Sequence, residues 1–279
     1  MTQNRNDTPA ATLLSLKNIS VSLAKRQILR DVTLEIDKGE FYGLIGSNGA
    51  GKTTLLRLIL GLLKQDSGQI EIRQQDAFTG QRLIGYVPQK IDFDRDIPLR
   101  ARDLVGLGID GHKFGISLSN KKKREQVDDI LRSVNAFEFA DAKIGALSGG
   151  QQQKIMIAHA LVGNPSILLL DEPLANLDLK SQHEVIALVN KLKIENNISI
   201  LFSAHDMNPL LDVMDKIVYI ANGKIAVGKV SEIINSETLT NLYGYPVDVL
   251  TYRNRLIVLT GNETEGLHHE LSQDGIAML

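Results

Sequence analysis

Phe41-Tyr42-Gly43-Leu44-Ile45-Gly46-Ser47-Asn48-Gly49-Ala50-Gly51-Lys52-Thr53-Thr54 begins as a buried strand, passes through a glycine-rich turn and enters Lys52 to Leu63, where the leucines and Ile59 recur at helical spacing. Gly46 to Thr53 fits the pattern G-x-x-x-x-G-K-[ST], and a strand before it with a helix after it is the setting that pattern requires. Its glycines let successive N–H groups turn inward around an anion, and the helix N-terminus adds the positive end of its dipole. Lys52 is expected to reach the β- and γ-phosphates of a nucleotide, and the Thr53 hydroxyl to ligate Mg²⁺.

Outward from this unit, the N-terminal side is strand-like. Ile19, Val21 and Leu23 alternate on one face and Val32, Leu34 and Ile36 on another, so Leu13 to Glu35 predicts paired strands, with a turn at Asp37-Lys38-Gly39. Downstream, Ile84 to Val87 is a short strand closed by Pro88. Ile97 to Leu161 is helical in pattern, interrupted by the polar Gly106 to Asn120 and by Ile144-Gly145-Ala146, and predicts an inserted helical lobe over about 90–160. Ile167 to Leu170 has the unbroken apolarity of a parallel strand buried on both faces. A helix over Leu179 to Asn196 and a strand over Ile198 to Ser203 continue the alternation, which means a parallel sheet. Ile217 to Val227 reads as a hairpin on Asn222-Gly223, Ser231 to Leu242 as a helix capped by Ser231, and Val247 to Leu259 as a hairpin around Arg253-Asn254. The expected fold is α/β: a parallel-sheet core, an N-terminal antiparallel β subdomain and an inserted α-helical subdomain, over 13–261. Residues 1–12 and 262–279 are expected to be flexible.

The bulk properties exclude several functions. With 279 residues, 43% of them hydrophobic, the chain can bury a sizeable core. Its 31 Lys and Arg against 33 Asp and Glu give no positive field to gather nucleic acid or anionic lipid. Zero cysteines exclude disulfides, thiolate metal sites and cysteine nucleophiles. No apolar run approaches the ~18 residues of a membrane span, so work at a membrane would go through a partner. Lys121 to Arg124 reads as a solvated face, and His268-His269 as part of the tail.

Two further segments carry chemistry. Asp171-Glu172 follows the strand Ile167 to Leu170, which sets two carboxylates at the C-terminal edge of the sheet, where open α/β sheets bind ligands. Neighbouring side chains on a strand point opposite ways, so Asp171 can hold the Mg²⁺ hydration shell while Glu172 faces a water as base or orienter. Leu147-Ser148-Gly149-Gly150-Gln151 opens a helix with Ser148 as its cap and two glycine N–H groups at its N-terminus, a second anion cradle. A γ-phosphate seen by both cradles would have to lie between two copies of the chain.

The set Gly46 to Thr53, Gln89, Leu147 to Gln151, Asp171-Glu172, Asp178 and His205 resembles the ATP-binding subunit of ABC transporters, in family order and with matching spacing from Leu13 to Gly261. The resemblance implies ATP and Mg²⁺ sandwiched between Gly46 to Thr54 of one copy and Ser148 to Gln151 of the other, in a head-to-tail dimer. It implies that Gln89 touches Mg²⁺ and the attacking water, that His205 contacts the γ-phosphate and orients Glu172, and that Asp178 crosses the dimer interface. Catalysis would fall to Glu172, His205 and Gln89, and the metal to Thr53, Gln89 and Asp171. It further implies integral membrane permease partners, a cytoplasmic location on the inner face of the membrane, and no nucleic acid. Two positions depart from the family pattern. His159 stands where arginine is usual, and Leu23 where an aromatic ring usually stacks on adenine; Tyr42 or a ring from a partner chain is the alternative for that role.

Lys52 and Ser148 are 96 residues apart, which leaves no room for the long coiled coils of chromosome-maintenance relatives. Ala204 to Leu211, with Val218-Tyr219-Ile220 and Leu242-Tyr243-Gly244, is similar to the ATPases of zinc, manganese or iron importers, which work indirectly with a metal-binding protein. The rival readings are an ABC ATPase for another cargo, such as an iron chelate, and a nucleotide-gated assembly module without turnover.

Overall fold

A computed structural model describes residues 12–73, 75–76, 83–89, 93–110, 121–253 and 255–260. The expected flexible ends apart from Thr12, His268-His269 and the apical Asn254 lie outside the described residues. β1 (Thr12–Leu23) and β2 (Arg26–Asp37) pair antiparallel, as their period-two pattern dictates, and bury Leu14, Leu16, Ile19, Leu29, Val32 and Leu34. Their two-residue link, Ala24-Lys25, has φ of 48° and 65°, the positive values that match the twist of a hairpin.

β3 (Phe41–Ile45) lies inside a six-stranded sheet with β6 (Ile84–Val87), β7 (Ile167–Leu170), β8 (Ser199–Ala204), β9 (Lys216–Ala221) and β10 (Lys224–Gly228), in the order β10-β9-β3-β8-β7-β6. All neighbours are parallel except the β9–β10 hairpin at the edge. The apolar runs are explained by which face each residue serves. Phe41, Ile45, Leu168 and Leu170 enter a core shared with the helices, whereas Tyr42, Leu44, Ile167 and Leu169 enter a second core under β1 and β2. α1 (Lys52–Ile59) fills that second core with Leu55, Leu56, Leu58 and Ile59.

Between β6 and β7 the described chain is helical: α2 (Ala101–Asp110), α3 (Lys121–Ser133) and α4 (Gly149–Leu161). α3 buries Val127 and Leu131 and leaves most of its charged residues outside, the amphipathic solution for its sequence. α5 (Leu179–Asn196) precedes β8. Two short helices, α6 (Val230–Ile233) and α7 (Ser236–Tyr243), then lead to a separate hairpin of β11 (Val247–Tyr252) and β12 (Arg255–Thr260). Among the described residues no helix is long and apolar enough to cross a membrane.

The structure corrects the sequence reading in four places. α1 stops at Ile59, not Leu63, because Gly61 turns to φ 65° and Leu62 points outward. A strand went unread, β4 (Ser67–Ile72), which pairs with the second edge of β1 and with the short β5 (Gln75–Asp76). Its signal is weak because only Ile70 and Ile72 bury, and Gly68, at φ 91°, lies so near β1 that a Cβ would stand 2.4 Å from Lys17 O. The helix expected over Ser231 to Leu242 is two helices: the first is capped at Lys229, and Asn235 restarts the second by accepting the Thr238 N–H at 2.8 Å. β8 begins at Ser199, after Asn197 has closed α5 in a left-handed conformation.

Candidate active site

β3 delivers the chain to Gly46 through a gap that only glycine fits. A methyl there would stand 2.4 Å from Ile220 O and 2.6 Å from Ile220 Cγ2. The loop turns at Ser47, whose carbonyl accepts the Ala50 N–H at 3.2 Å, and Gly49 and Gly51 take φ of 78° and 113°. Gly51 is the N-cap of α1. Ser47, Asn48 and Gly49 are exposed, Ala50, Thr53 and Thr54 half-buried, so the open rim of the loop lies over the first turn of the helix.

Lys52 is 4% exposed, and its ammonium is held by Gly46 O at 2.7 Å, Ser47 O at 3.3 Å and Glu172 Oε1 at 3.2 Å. Gln89, just past β6, donates from Nε2 to Glu172 Oε2 at 2.8 Å. The structure therefore brings Gly46, Lys52, Glu172 and Gln89 into one polar chain. Thr53 Oγ1 donates to Asp171 Oδ1 at 3.4 Å beside it. Asp171 and Glu172 do not diverge as neighbours on a strand. β7 ends at Leu170, and Glu172 turns back through a left-handed φ of 45°, which is how its carboxylate reaches both Lys52 and Gln89. No sequence signal marks that turn.

Asp171 is 2% exposed. Burial raises its pKa above the ordinary carboxylate value, the Glu172 charge adds to the rise, and the Thr53 hydroxyl, Ser203 and Lys52 draw it back only in part. Ser203 is fully buried, and its Oγ meets no hydrogen-bond geometry. Tyr86 on β6 is pushed up by burial and by the same Asp171 charge. Sequence reading missed both neighbours, since each sits in an ordinary strand.

Ser148 to Gln151 form a separate cluster. Ser148 caps α4 in a reciprocal capping box: its Oγ accepts the Gln151 N–H at 3.3 Å, and its own N–H donates to Gln151 Oε1 at 2.9 Å. Methyls on Gly149 and Gly150 would press on Leu177 Cδ2 at 3.2 Å and Ser181 Oγ at 2.8 Å, so these glycines let α4 pack against the start of α5. There Asp178 caps α5 through the Ser181 N–H and hydroxyl, both at 2.9 Å, and the Ser181 N–H lowers its pKa below the ordinary carboxylate value. No hydrogen bond joins this cluster to Gly46 to Thr54 among the described residues.

His205 follows β8, exposed and without a hydrogen bond among the described residues. It lines a cavity of about 480 Å³ with Gly46 and Ser47 on one side and Leu256 to Val258 of the C-terminal hairpin on another. Leu23 ends β1 at 38% exposure. Tyr42 is no alternative to it: its ring is fully buried and its hydroxyl donates to Glu40 Oε2 at 2.7 Å. His159 Nδ1 lies 3.1 Å from Leu104 O, tying α4 to α2.

The residues fit a small hard cation. The Thr53 hydroxyl and the Asp171 carboxylate are hard oxygens side by side, and no cation pairs directly with that buried carboxylate among the described residues. No three His, Asp or Glu side chains cluster among the described residues, so a cation held here would complete its shell with water and phosphate oxygens, as Mg²⁺ does.

Buried lysine, strand-end carboxylates and a glycine loop at a helix N-terminus meet at the end of a parallel α/β sheet, an arrangement chemically suited to phosphate. Comparison with known proteins gives the family. The model of the family described as "ABC transporter" matches residues 29–175. The chain is 35% identical over 231 residues to the manganese transport system ATP-binding protein MntB of Bacillus subtilis, covering 83% of this chain and 92% of that one. It is 32% identical to the zinc import ATP-binding protein ZnuC of Buchnera aphidicola, over 83% and 90% of the two chains. A dimeric ATP-binding cassette bound to ADP and Pi superposes with a TM-score of 0.67 at 29% identity, over 78% of this chain and 99% of the other. This chain belongs to the ABC transporter ATP-binding family and is an ATP-hydrolysing transporter subunit.

Proposed function

We propose that the chain hydrolyses Mg-ATP at two sites shared between two head-to-tail copies, and so drives a membrane permease that imports a divalent metal ion. The polar chain Gln89–Glu172–Lys52, lying beside Thr53–Asp171, carries this reading. Lys52 now rests on Gly46 O, Ser47 O and Glu172; β- and γ-phosphate oxygens would take over those contacts, with the loop N–H groups from Gly46 to Thr54 around them. Thr53 and Asp171, with Gln89 at hand, would hold Mg²⁺, which supplies charge neutralisation across the β- and γ-phosphates. Glu172, freed from Lys52 yet still held by Gln89, would accept the proton of the attacking water or orient it. His205 would contact the γ-phosphate from the far side of the cavity.

The Ser148 to Gln151 cradle, exposed at Ser148 and Gly149 and joined by no hydrogen bond to Gly46 to Thr54 of its own chain among the described residues, supports completion of the site by a second copy, with Asp178 at the interface. The manganese and zinc transport relatives support a divalent metal as cargo. The metal would cross through the permease helices after delivery by a metal-binding protein, and this chain would sit on the cytoplasmic face of the membrane.

Glu172→Gln tests the reading. It keeps the Gln89 hydrogen bond and removes the charge, so ATP should bind while phosphate release falls ~10²–10⁴-fold, the range of general-base effects. Unhydrolysed nucleotide should then hold the variant as a dimer in light scattering with Mg-ATP and leave it monomeric without. A variant that keeps most of its turnover removes Glu172 from the chemistry. For the cargo, uptake of Zn²⁺, Mn²⁺ and a ferric chelate by vesicles carrying the whole transporter decides between the free ion and the chelate.

A further inference from the structure

Asn208, three residues beyond His205, uses every hydrogen-bonding atom of its side-chain amide. Nδ2 donates to Asp206 Oδ1 at 2.8 Å and to Leu256 O at 3.0 Å, while Oδ1 accepts the Leu256 N–H at 2.8 Å. Its backbone N–H also donates to Asp206 Oδ1, at 2.9 Å. Leu256 is in β12, where it stands opposite Thr251 of β11. Both of its backbone groups point away from β11 to the Asn208 amide, which takes the place of a third strand.

This contact has consequences for the loop between β8 and the turn at Asn208–Leu210. That loop carries His205, which is exposed and makes no hydrogen bond of its own among the described residues. Its position is set by Ala204, paired with Ile45 at the end of β3, by the buried Met207, and by Asn208, paired with Leu256. His205, Asn208 and Leu256 line the same cavity as Gly46 and Ser47. We propose that Asn208 is a positioning residue for ATP hydrolysis: it fastens the His205 loop to the C-terminal hairpin and so fixes the imidazole against the phosphate loop. The proposal rests on the assignment of His205 to the γ-phosphate. Misplacement of a reacting group by about 1 Å costs on the order of 10²-fold in rate, so a loosened loop is felt in turnover rather than in nucleotide binding, which Lys52 and the loop N–H groups supply.

Steady-state phosphate release by the full chain, with kcat and KM for Mg-ATP measured separately, tests this on three variants. Asn208→Ala removes the amide. Leu256→Pro removes the N–H of the bond from the hairpin side, together with the leucine side chain, at a position whose N–H faces away from β11, where proline is tolerated. His205→Ala tests the underlying assignment. The expected result is a loss of about tenfold or more in kcat for Asn208→Ala and Leu256→Pro alike, with KM within about twofold of wild type, and a larger loss for His205→Ala. Unchanged kcat in both Asn208→Ala and Leu256→Pro beside an inactive His205→Ala would overturn the positioning role while leaving the site intact. A raised KM with unchanged kcat would also overturn it. Normal turnover by His205→Ala would bring down the assignment of His205 and the proposal with it.

Discussion

Replacing Gly46 by alanine isolates the close approach on which the phosphate loop is built. The added methyl would lie 2.4 Å from Ile220 O and 2.6 Å from Ile220 Cγ2, well inside carbon–oxygen and carbon–carbon contact. Ile220 is in β9, paired with Ile225 of β10 and buried, so neither atom can swing aside as the tip of a flexible side chain would. Overpacking of this kind costs about 1–3 kcal/mol. For a domain of this size that lowers Tm by about 2–12 °C. The strain falls on the residue whose carbonyl anchors Lys52 at 2.7 Å, so Mg-ATP affinity should drop along with stability. Gly49→Ala is the control. Its methyl meets nothing within 4 Å, and only the left-handed φ of 78° opposes it, about 1–2 kcal/mol with no displacement of Lys52. Thermal unfolding and nucleotide titration of both variants provide the assay. Gly46→Ala with wild-type Tm and wild-type affinity would refute the account of the loop.

Asp171→Asn should raise the thermal midpoint of the nucleotide-free chain at pH 7 while abolishing Mg²⁺-dependent turnover. The sign follows from linkage: burial lifts the folded-state pKa of Asp171 above its unfolded value, so its ionised form opposes folding as pH rises through the carboxylate range, and the gain from the amide should vanish at acid pH, where both states are protonated. Leu23 lacks a ring to stack on the base, a contact worth about 1–3 kcal/mol in nucleic-acid sites, so GTP should be hydrolysed within about tenfold of ATP, and Leu23→Tyr should tighten ATP. Strong ATP preference unchanged by Leu23→Tyr would place another residue, outside the buried Tyr42, on the adenine.

The strand, loop and helix around Lys52 were legible in the sequence because each imposes a local pattern: a short unbroken apolar run, glycines where φ must be positive, and leucines at helical spacing. The cap at Ser148 was legible for the same reason, since a capping side chain bonds within three residues of itself. What stayed hidden depends on distant partners. β4 gains its strand character from β1, and the fastening of Asn208 to Leu256 joins positions 48 residues apart. Glu172 was found by its place after a buried strand, but its left-handed turn toward Lys52 and Gln89 was not, because a non-glycine residue at positive φ carries no mark in its identity.

A mixing experiment reaches the central claim, that one catalytic site is assembled from two copies. Lys52→Ala destroys the phosphate loop and spares Ser148 to Gln151, whereas Ser148→Arg fills the exposed second cradle and spares Lys52. Each variant alone should release no phosphate. In an equal mixture half the dimers are mixed, and each of these carries one complete site of two, so turnover should recover toward about a quarter of the wild-type rate. A mixture as inactive as its components, or either variant active alone, would contradict a site shared between copies.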